Sequence, residues 1–440
     1  MDKIFRYFQV VDPFVLVIGI AVLFVVLIII PAEKRWLVPF AFGPTWMLVN
    51  RMSDFQMIGS YMKVLAVAPT VAMIFGVITG GFPKSKTEPA AFVLILTGVF
   101  WIVCIAGTND FGYGFAVRIQ WILMCVAASL VLPLLSNLNY LRIMLRWLYW
   151  GYFAAGALML AAFAFDGGVM YLNGHTRFSP WGSNPNQINM TLTMVFFLSL
   201  YMMQTDEKDK KAPIYAASAI ASAMMLLLTI SRSSIAMAFV GVAIIAPHII
   251  IKRPLLTFSV AVLSIVVSSN YVLNNDISLN RLNSLQSGRE DIAVIYLNEI
   301  MKRPISGLLG TSGRSFNSMG RGASHAHNAI LAIAYNGGIL LLLPFLVIGQ
   351  KALTSCLYLF RTRKKYNEVS TETTWMVATF VALVASSFNN FAIIWSSYFE
   401  SFLVLLVGLF AIRIKTTGYR NFMRKYPAIW SRRTPPIPAE

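Results

Sequence analysis

Apolar runs long enough to cross a bilayer recur along this whole chain, separated by short polar segments. A helix needs about 20 apolar residues to span the hydrocarbon. Runs near that length lie at Pro13 to Pro31, Ala90 to Thr108, Ile119 to Leu135, Leu148 to Phe165 and Ile188 to Met203. Others follow at Ile214 to Ile230, Ile235 to Ile251, Leu255 to Leu273, Asn328 to Phe360, Met376 to Phe391 and Phe402 to Ile412. With 57% hydrophobic and 12% charged residues, the chain treats lipid as its solvent. The expected fold is all-α: a polytopic integral membrane protein of about 12 transmembrane helices, with residues 1–440 forming a single transmembrane domain. Between Arg35 and Gly81, two short apolar pieces flank Asn50 to Asp54 and read as two spans or as one span plus an interfacial helix, so twelve and thirteen crossings both fit.

The net charge is +18. In a soluble chain that would suggest nucleic acid, but here the cations gather between spans, where they set topology. Clusters at Lys84/Lys86, Arg142/Arg146, Lys208/Lys210/Lys211, Lys252/Arg253 and Arg361 to Lys365, with the tail from Arg413 to Arg433, follow every second span and mark a cytoplasmic face. Nucleic-acid binding is therefore not expected. The first apolar run follows Lys3 and Arg6, exceeds a signal-peptide core and has no small-residue cleavage site after it, so it reads as a retained anchor. Cys104, Cys125 and Cys356 lie in or beside apolar spans without metal-ligand neighbours and read as packing residues.

The opposite face receives Asn109 to Gly114, Asp166 to Asn186, the turn Ser231 to Ser234, and a long extracytoplasmic loop at 274–327. In that loop Ser287-Gly288-Arg289-Glu290 has capping-box form, and Ile292, Ile295, Ile300 and Met301 follow at helical spacing until Pro304. This spacing predicts an amphipathic helix whose first turn carries Arg289. Gly307, Gly310 and Gly313 then allow tight turns, and Arg314 and Arg321 add charge. Arginines on this face oppose the orientation signal. Arg177, Arg232, Arg289, Arg314 and Arg321 are thus either membrane-edge residues reaching for headgroups or ligands for an anion. Asn184-Pro185-Asn186 reads as an N-cap with proline at the first helical position, and Asn328 opens a helix on the same face. Helix N-termini and arginines around one cavity suit a pyrophosphate.

His327 precedes Asn328, among these arginines and at a helix start, where the imidazolium form is repelled and a neutral ring accepts a proton from a hydroxyl. The plainer reading is a surface histidine. Asp276, Glu290, Asp291 and Glu299 are dispersed, so a divalent-metal phosphate site is not supported. Glu400 reads as a solvated helix end, or as the partner of one of these cations.

Taken in order, Arg177 to Asn186, Ser231 to Ala236, Ser287 to Arg289, Pro304 to Gly310, and His327-Asn328 continuing to Gly337-Gly338 resemble the O-antigen ligase and polysaccharide polymerase family of the bacterial envelope. The likeness covers roughly Arg177 to Phe345. It departs where Leu341 stands in place of a second glycine, and where a tryptophan is usual after Arg289. The resemblance implies a multi-pass protein of the bacterial inner membrane, its site facing the periplasm. Such a protein moves a glycan from an undecaprenyl-pyrophosphate-linked donor to an acceptor hydroxyl, on lipid or polysaccharide, with no cofactor and no metal. By the same resemblance His327 is the base or acceptor-positioning group, and Arg232 and Arg289 hold the pyrophosphate. Arg177, Asn184, Asn186, Arg314, Arg321 and Asn328 complete the substrate-binding set, and envelope polysaccharide export proteins are candidate partners.

Ligase and polymerase need the same site and stay open as alternatives. A lipid-linked oligosaccharide flippase is the reading from another class. Internal symmetry and ionisable groups in mid-span would favour it, whereas here the charges gather at one face.

Overall fold

The computed structural model describes residues 11–82, 88–105, 111–165, 168–172, 175–205, 211–231, 236–245, 289–302, 328–363, 370–387 and 399–417, with scattered positions between 254 and 269. They are helical throughout, apart from one two-stranded hairpin that the all-α expectation did not contain. The helices are α1 (Pro13–Ile29), α2 (Val38–Val49), α3 (Gln56–Val64), α4 (Ala68–Thr79), α5 (Pro89–Ile105), α6 (Phe111–Val131) and α7 (Leu138–Phe165). After the hairpin of β1 (Val169–Leu172) and β2 (His175–Phe178) come α8 (Pro185–Thr205) and α9 (Ala212–Leu228), then α10 (Ala236–Ile245). α11 (Arg289–Lys302), α12 (Ala329–Thr362), α13 (Ser370–Ser387) and α14 (Phe399–Thr417) follow. Among the described residues, four helical stretches are long and apolar enough to cross a membrane: Arg118–Ser136, Leu138–Phe165, Pro185–Thr205 and Gly338–Thr362.

The ambiguous stretch after Arg35 becomes two helices, α2 and α4, joined through the short α3. α7 begins at Leu138, before the apolar run at Leu148 to Phe165, with Asn137 Oδ1 accepting from the Asn139 N–H at its start and Arg142 in its first turns paired with the buried carboxylate of Glu372 at 2.6 Å. α12 is not one continuous span. Gly338 adopts φ 68° and ψ −178°, a conformation open only to glycine, and splits it into a half-helix over 329–337 and the spanning helix Gly338–Thr362.

α8 is the most enclosed span: 83% of its apolar window is buried, against 22% for Gly338–Thr362. It nevertheless carries buried polar groups, several of them paired. Thr193 donates to the Asn189 carbonyl, and Ser199 donates to the Val195 carbonyl and reaches Ser218 of α9 at 2.9 Å. α1 lies at the other extreme, with Phe14, Val17, Ile28 and Ile29 all exposed, as suits a helix facing lipid. Its last carbonyls, those of Ile28 and Ile30, are taken by the Arg35 guanidinium at 3.0 Å.

Small residues set the closest helix contacts, as expected where lipid removes any hydrophobic drive between helices. Gly151 of α7 lies against the backbone of α2. A Cβ there would meet the carbonyl oxygens of Phe40 and Ala41, the latter at 2.6 Å. Thr45 of α2 donates to the Gly151 carbonyl at 3.2 Å across the same seam. Backbone cannot yield as a side chain can, so Gly151→Ala is expected to push α2 from α7 and destabilise the protein by about 1–3 kcal/mol. Reversible unfolding in mixed detergent micelles checks this, and an unchanged midpoint would show that the seam is looser than the coordinates imply.

Candidate functional site

The segment from Arg177 to Asn186 is held at one end of the bundle by a series of local ties. β1 and β2 pair antiparallel, Val169 opposite Phe178 and Leu172 opposite His175. Gly168, with φ 61°, makes room for the Phe178 ring, which stacks on Phe163 with centroids 4.6 Å apart. Ser179 then donates to the Ser183 carbonyl, and the Trp181 indole N–H donates to the Leu158 carbonyl at 2.7 Å. Asn184 caps α8 as its sequence position predicts: its Oδ1 accepts from the Asn186 N–H at 2.9 Å, and Pro185 takes the first helical position.

Arg177 points inward and is fully buried. Its Nε donates to the Thr229 carbonyl at 2.8 Å, and a terminal nitrogen donates to Asn186 Oδ1 at 3.2 Å. The same Oδ1 accepts from Ser231 Oγ at 3.2 Å, and Asn189 Nδ2 donates to Ser231 Oγ at 3.3 Å. One guanidinium thereby joins the hairpin, the start of α8 and the exit of α9.

A second guanidinium lies beside the first turns of α8. Arg51, just past the end of α2, donates to the Gln187 carbonyl at 3.4 Å and pairs with Glu400 at 3.4 Å. Glu400 also accepts from Thr191 Oγ1 at 2.7 Å and faces the buried Tyr152 hydroxyl. The reading of Glu400 as a solvated helix end is corrected here. Its side chain is only 2% exposed, and its partner is Arg51 rather than an arginine of the outer loops. A carboxylate at the first turn of α14, with α2 and α8 packed over it, has no route to water, so it takes a cation and a hydroxyl instead.

The sequence-predicted site residues are distributed as follows. Arg177, Asn184 and Asn186 come together as described. Asn328 caps α12, its Oδ1 accepting from the Ile330 and Leu331 N–H groups at 2.9 and 3.2 Å. Arg289 opens α11, the helix predicted from its spacing. α11 packs on the half-helix of α12 through Tyr296 and Tyr335, whose rings meet edge to face at 4.9 Å, with Ile295, Ile300, Leu331 and Ala332 around them. The helix that starts at Arg289 is thus docked on the helix that follows His327. Arg232, Arg314, Arg321 and His327 themselves lie outside the described residues. Among the described residues no three His, Cys, Asp or Glu side chains come together.

Sequence reasoning missed Arg51, Thr191 and Asn189 as site residues, and placed Ser231 in an outer turn without giving it a role. The signal for Arg51 was an arginine in the short polar break between two apolar pieces. The other three are small polar residues inside or beside apolar runs, unusual only in number.

Between α5, α6, α12, α13 and α14 lies an apolar cavity of about 340 Å³. Ala329, Ile330 and Ile333 of the half-helix line it, as do Phe345 and Gly349 beyond the break, and Ser401, the residue after Glu400. The start of α12 and the Arg51–Glu400 pair therefore share one end of the bundle. No family model, no curated protein and no solved structure matches the chain.

The two partners of the buried pair are not equivalent under substitution. Arg51→Ala strands a buried carboxylate and is expected to cost about 3–5 kcal/mol. Glu400→Gln keeps an acceptor for Thr191 and leaves Arg51 its bond to Gln187, so a loss of about 1–2 kcal/mol is expected. Detergent unfolding of both variants tests the asymmetry, and equal losses would contradict it.

Proposed function

We propose that this chain is a membrane glycosyltransferase of the O-antigen ligase type. It takes a glycan from undecaprenyl pyrophosphate and passes it to an acceptor hydroxyl on the periplasmic face of a bacterial inner membrane. In this reading the chain crosses the bilayer about 12 or 13 times, α2 and α4 accounting for the difference.

The observation that carries the proposal is a juxtaposition at one end of the bundle. Buried guanidinium groups at the start of α8, the capped start of the half-helix after His327, and Ser401, which lines the apolar cavity next to Glu400 of the buried pair, share that end. A lipid-linked pyrophosphate needs cations and helix N-terminal N–H groups for its headgroup, which in this reading come from Arg232, Arg289 and the helix starts that Arg177 and Arg51 brace, with an apolar channel for the first prenyl units. The packing of α11 on the half-helix supports Arg289 and His327 acting at one place.

In the proposed reaction the acceptor oxygen attacks the anomeric carbon, and the bond from that carbon to the pyrophosphate oxygen breaks. The electron pair leaves with undecaprenyl pyrophosphate, and the hydroxyl proton passes to His327. Single displacement inverts the anomeric configuration. Arg232 and Arg289 stabilise the departing charge, which is the larger contribution. Proton removal adds about 10²- to 10⁴-fold.

Purified protein in nanodiscs, given a lipid-linked glycan extracted from membranes of the source cells, is expected to form a new glycosidic bond. His327→Ala and Arg289→Ala are each expected to lower that rate by at least about 100-fold while keeping the unfolding midpoint. Normal transfer by both would remove the assignment. A finished chain on a lipid acceptor identifies a ligase, and a lengthened repeat polymer identifies a polymerase.

The break at Gly338 favours a second reading, since interrupted helices mark the substrate sites of many transporters. Leaflet exchange of the labelled lipid without bond formation would establish it.

The cavity offers a separate test. Gly349 lines the cavity and a Cβ there would meet nothing within 4 Å, so Gly349→Phe adds a large side chain at the cavity's wall. It is expected to raise KM for the undecaprenyl donor by roughly 10-fold, equivalent to one or two buried methylenes. Transfer from a short-chain prenyl donor should be unchanged, and equal losses with both donors would place the lipid elsewhere.

A further inference from the structure

The long half of α12 is the least enclosed of the four spanning stretches described, with 22% of its apolar window buried. On its exposed side Leu343, Leu346, Gln350, Leu353 and Leu357 follow one another at alternating spacings of three and four residues. That is the heptad spacing of a coiled-coil seam, with one polar residue at its centre. Four of the five lie beyond Pro344, so the kink that proline brings does not interrupt them. Gln350 is also the midpoint of Gly338–Thr362, about 18 Å along the helix from either end. An amide that faces hydrocarbon there is costly, because lipid tails offer it no hydrogen bond. Its polar neighbours escape that cost. Thr354 donates to the Lys351 carbonyl at 3.0 Å, and the long Lys351 side chain extends toward the headgroups. Gln350 is too short for the second remedy and makes no hydrogen bond among the described residues.

We propose that two copies of this chain pair in the membrane along this seam, Gln350 of each copy hydrogen-bonding to Gln350 of the other. A second copy is the occupant for three reasons. An amide carries both donors and an acceptor, so it is complementary to itself. Copies inserted by the same route share one orientation, and a two-fold axis then brings the two amides together at one depth. Leucines at heptad spacing pack on their own counterparts, while a single polar residue in the seam fixes the register and the number of helices. Leucine against leucine gains little over leucine against lipid, so the amide pair supplies the selectivity. Leu346, Gln350 and Leu353 also line the cavity, and the partner helix therefore borders its lipid-facing side. This pairing is independent of the functional reading above.

Oxidative cross-linking of the full-length protein in native membranes tests the seam. Leu353→Cys is expected to form a disulfide-linked dimer. The unaltered protein, whose Cys125 and Cys356 are buried, and Val17→Cys on the exposed helix α1 are expected not to. Energy transfer between two labelled pools in proteoliposomes, followed as lipid is added, then measures the association. Gln350→Leu is expected to weaken it about 10-fold, and Gln350→Asn, which keeps an amide, less than about 3-fold. Since Gln350 is exposed and bonds to nothing in its own chain, Gln350→Leu is expected to keep the unfolding midpoint, which separates a weaker dimer from a misfolded one. Association of Gln350→Leu as strong as that of the unaltered protein would overturn the amide pairing. If Leu353→Cys gives no cross-link, lipid alone covers the seam, and if it is captured only by a protein of another sequence, the partner is not a second copy; either result overturns the proposal.

Discussion

Helix α8 runs through the middle of the bundle carrying Asn189, Thr191, Thr193 and Ser199, and apolar neighbours have nothing to offer these groups. A buried donor or acceptor left unmet costs about 1–3 kcal/mol, so the surrounding helices lie where partners can be supplied. α9 comes in through Ser218, and its exit through Ser231. α14 brings Glu400 to Thr191, and the end of α2 brings Arg51 to both Glu400 and the Gln187 carbonyl. Apolar packing is non-directional and would accept many rotations of these helices. The polar ties accept few, and they concentrate in the first turns of α8, so geometry is tightest at that end.

Much of the architecture was legible because hydropathy and helix capping are local. Within the described residues the apolar runs became helices, Asn184 and Asn328 became N-caps, and the spacing after Arg289 became α11, while the run Leu255 to Leu273 lies almost wholly outside them. What escaped was either long-range or dependent on a single backbone angle. Arg51 and Glu400 are 349 residues apart, and nothing in either neighbourhood names the other. The Arg142–Glu372 pair in the first turns of α7 spans 230 residues. The hairpin at Val169–Phe178 is too short to show a strand period, and its turn was read as part of an irregular loop. Of the candidate site, Arg177 was singled out as a cation of the outer segments, but its burial was not foreseeable. An arginine among Phe178, Ser179 and Pro180 reads as exposed until Thr229 and Asn186 are placed beside it.

The divided α12 connects this polar end to the apolar interior. Gly338 at φ 68° and ψ −178° lets the chain turn away after a half-helix of nine residues, 329–337. That half-helix has two apolar commitments. Leu331, Ala332 and Tyr335 receive α11, while Ala329, Ile330 and Ile333 line the cavity. The long half resumes with Phe345 and Gly349 on the cavity's wall. A straight helix crosses the bilayer with its lipid-facing and inward-facing stripes fixed along its length. A broken one can set its first turns at a different angle, which is how one element both caps a polar site and lines an apolar space beneath it.

Two strained residues, Trp181 at φ 54° and Ile230 at φ 44°, sit on the two chain segments that Arg177 ties together. Trp181 lies between Arg177 and the Asn184 cap, held by its indole bond to Leu158 and by rings of Phe55 and Phe165. Ile230 lies between the carbonyl that Arg177 binds and the hydroxyl that Asn186 binds. Each conformation costs of the order of 1–3 kcal/mol and persists only where surrounding contacts over-determine it. Glycine at either position would remove the strain, together with a large buried or stacked side chain. The chain instead keeps bulky residues whose side chains anchor the turns, and it uses charge-assisted hydrogen bonds in a medium of low dielectric to hold the backbone around them. Rigid placement of the two turns against the start of α8 is the physical consequence of that choice.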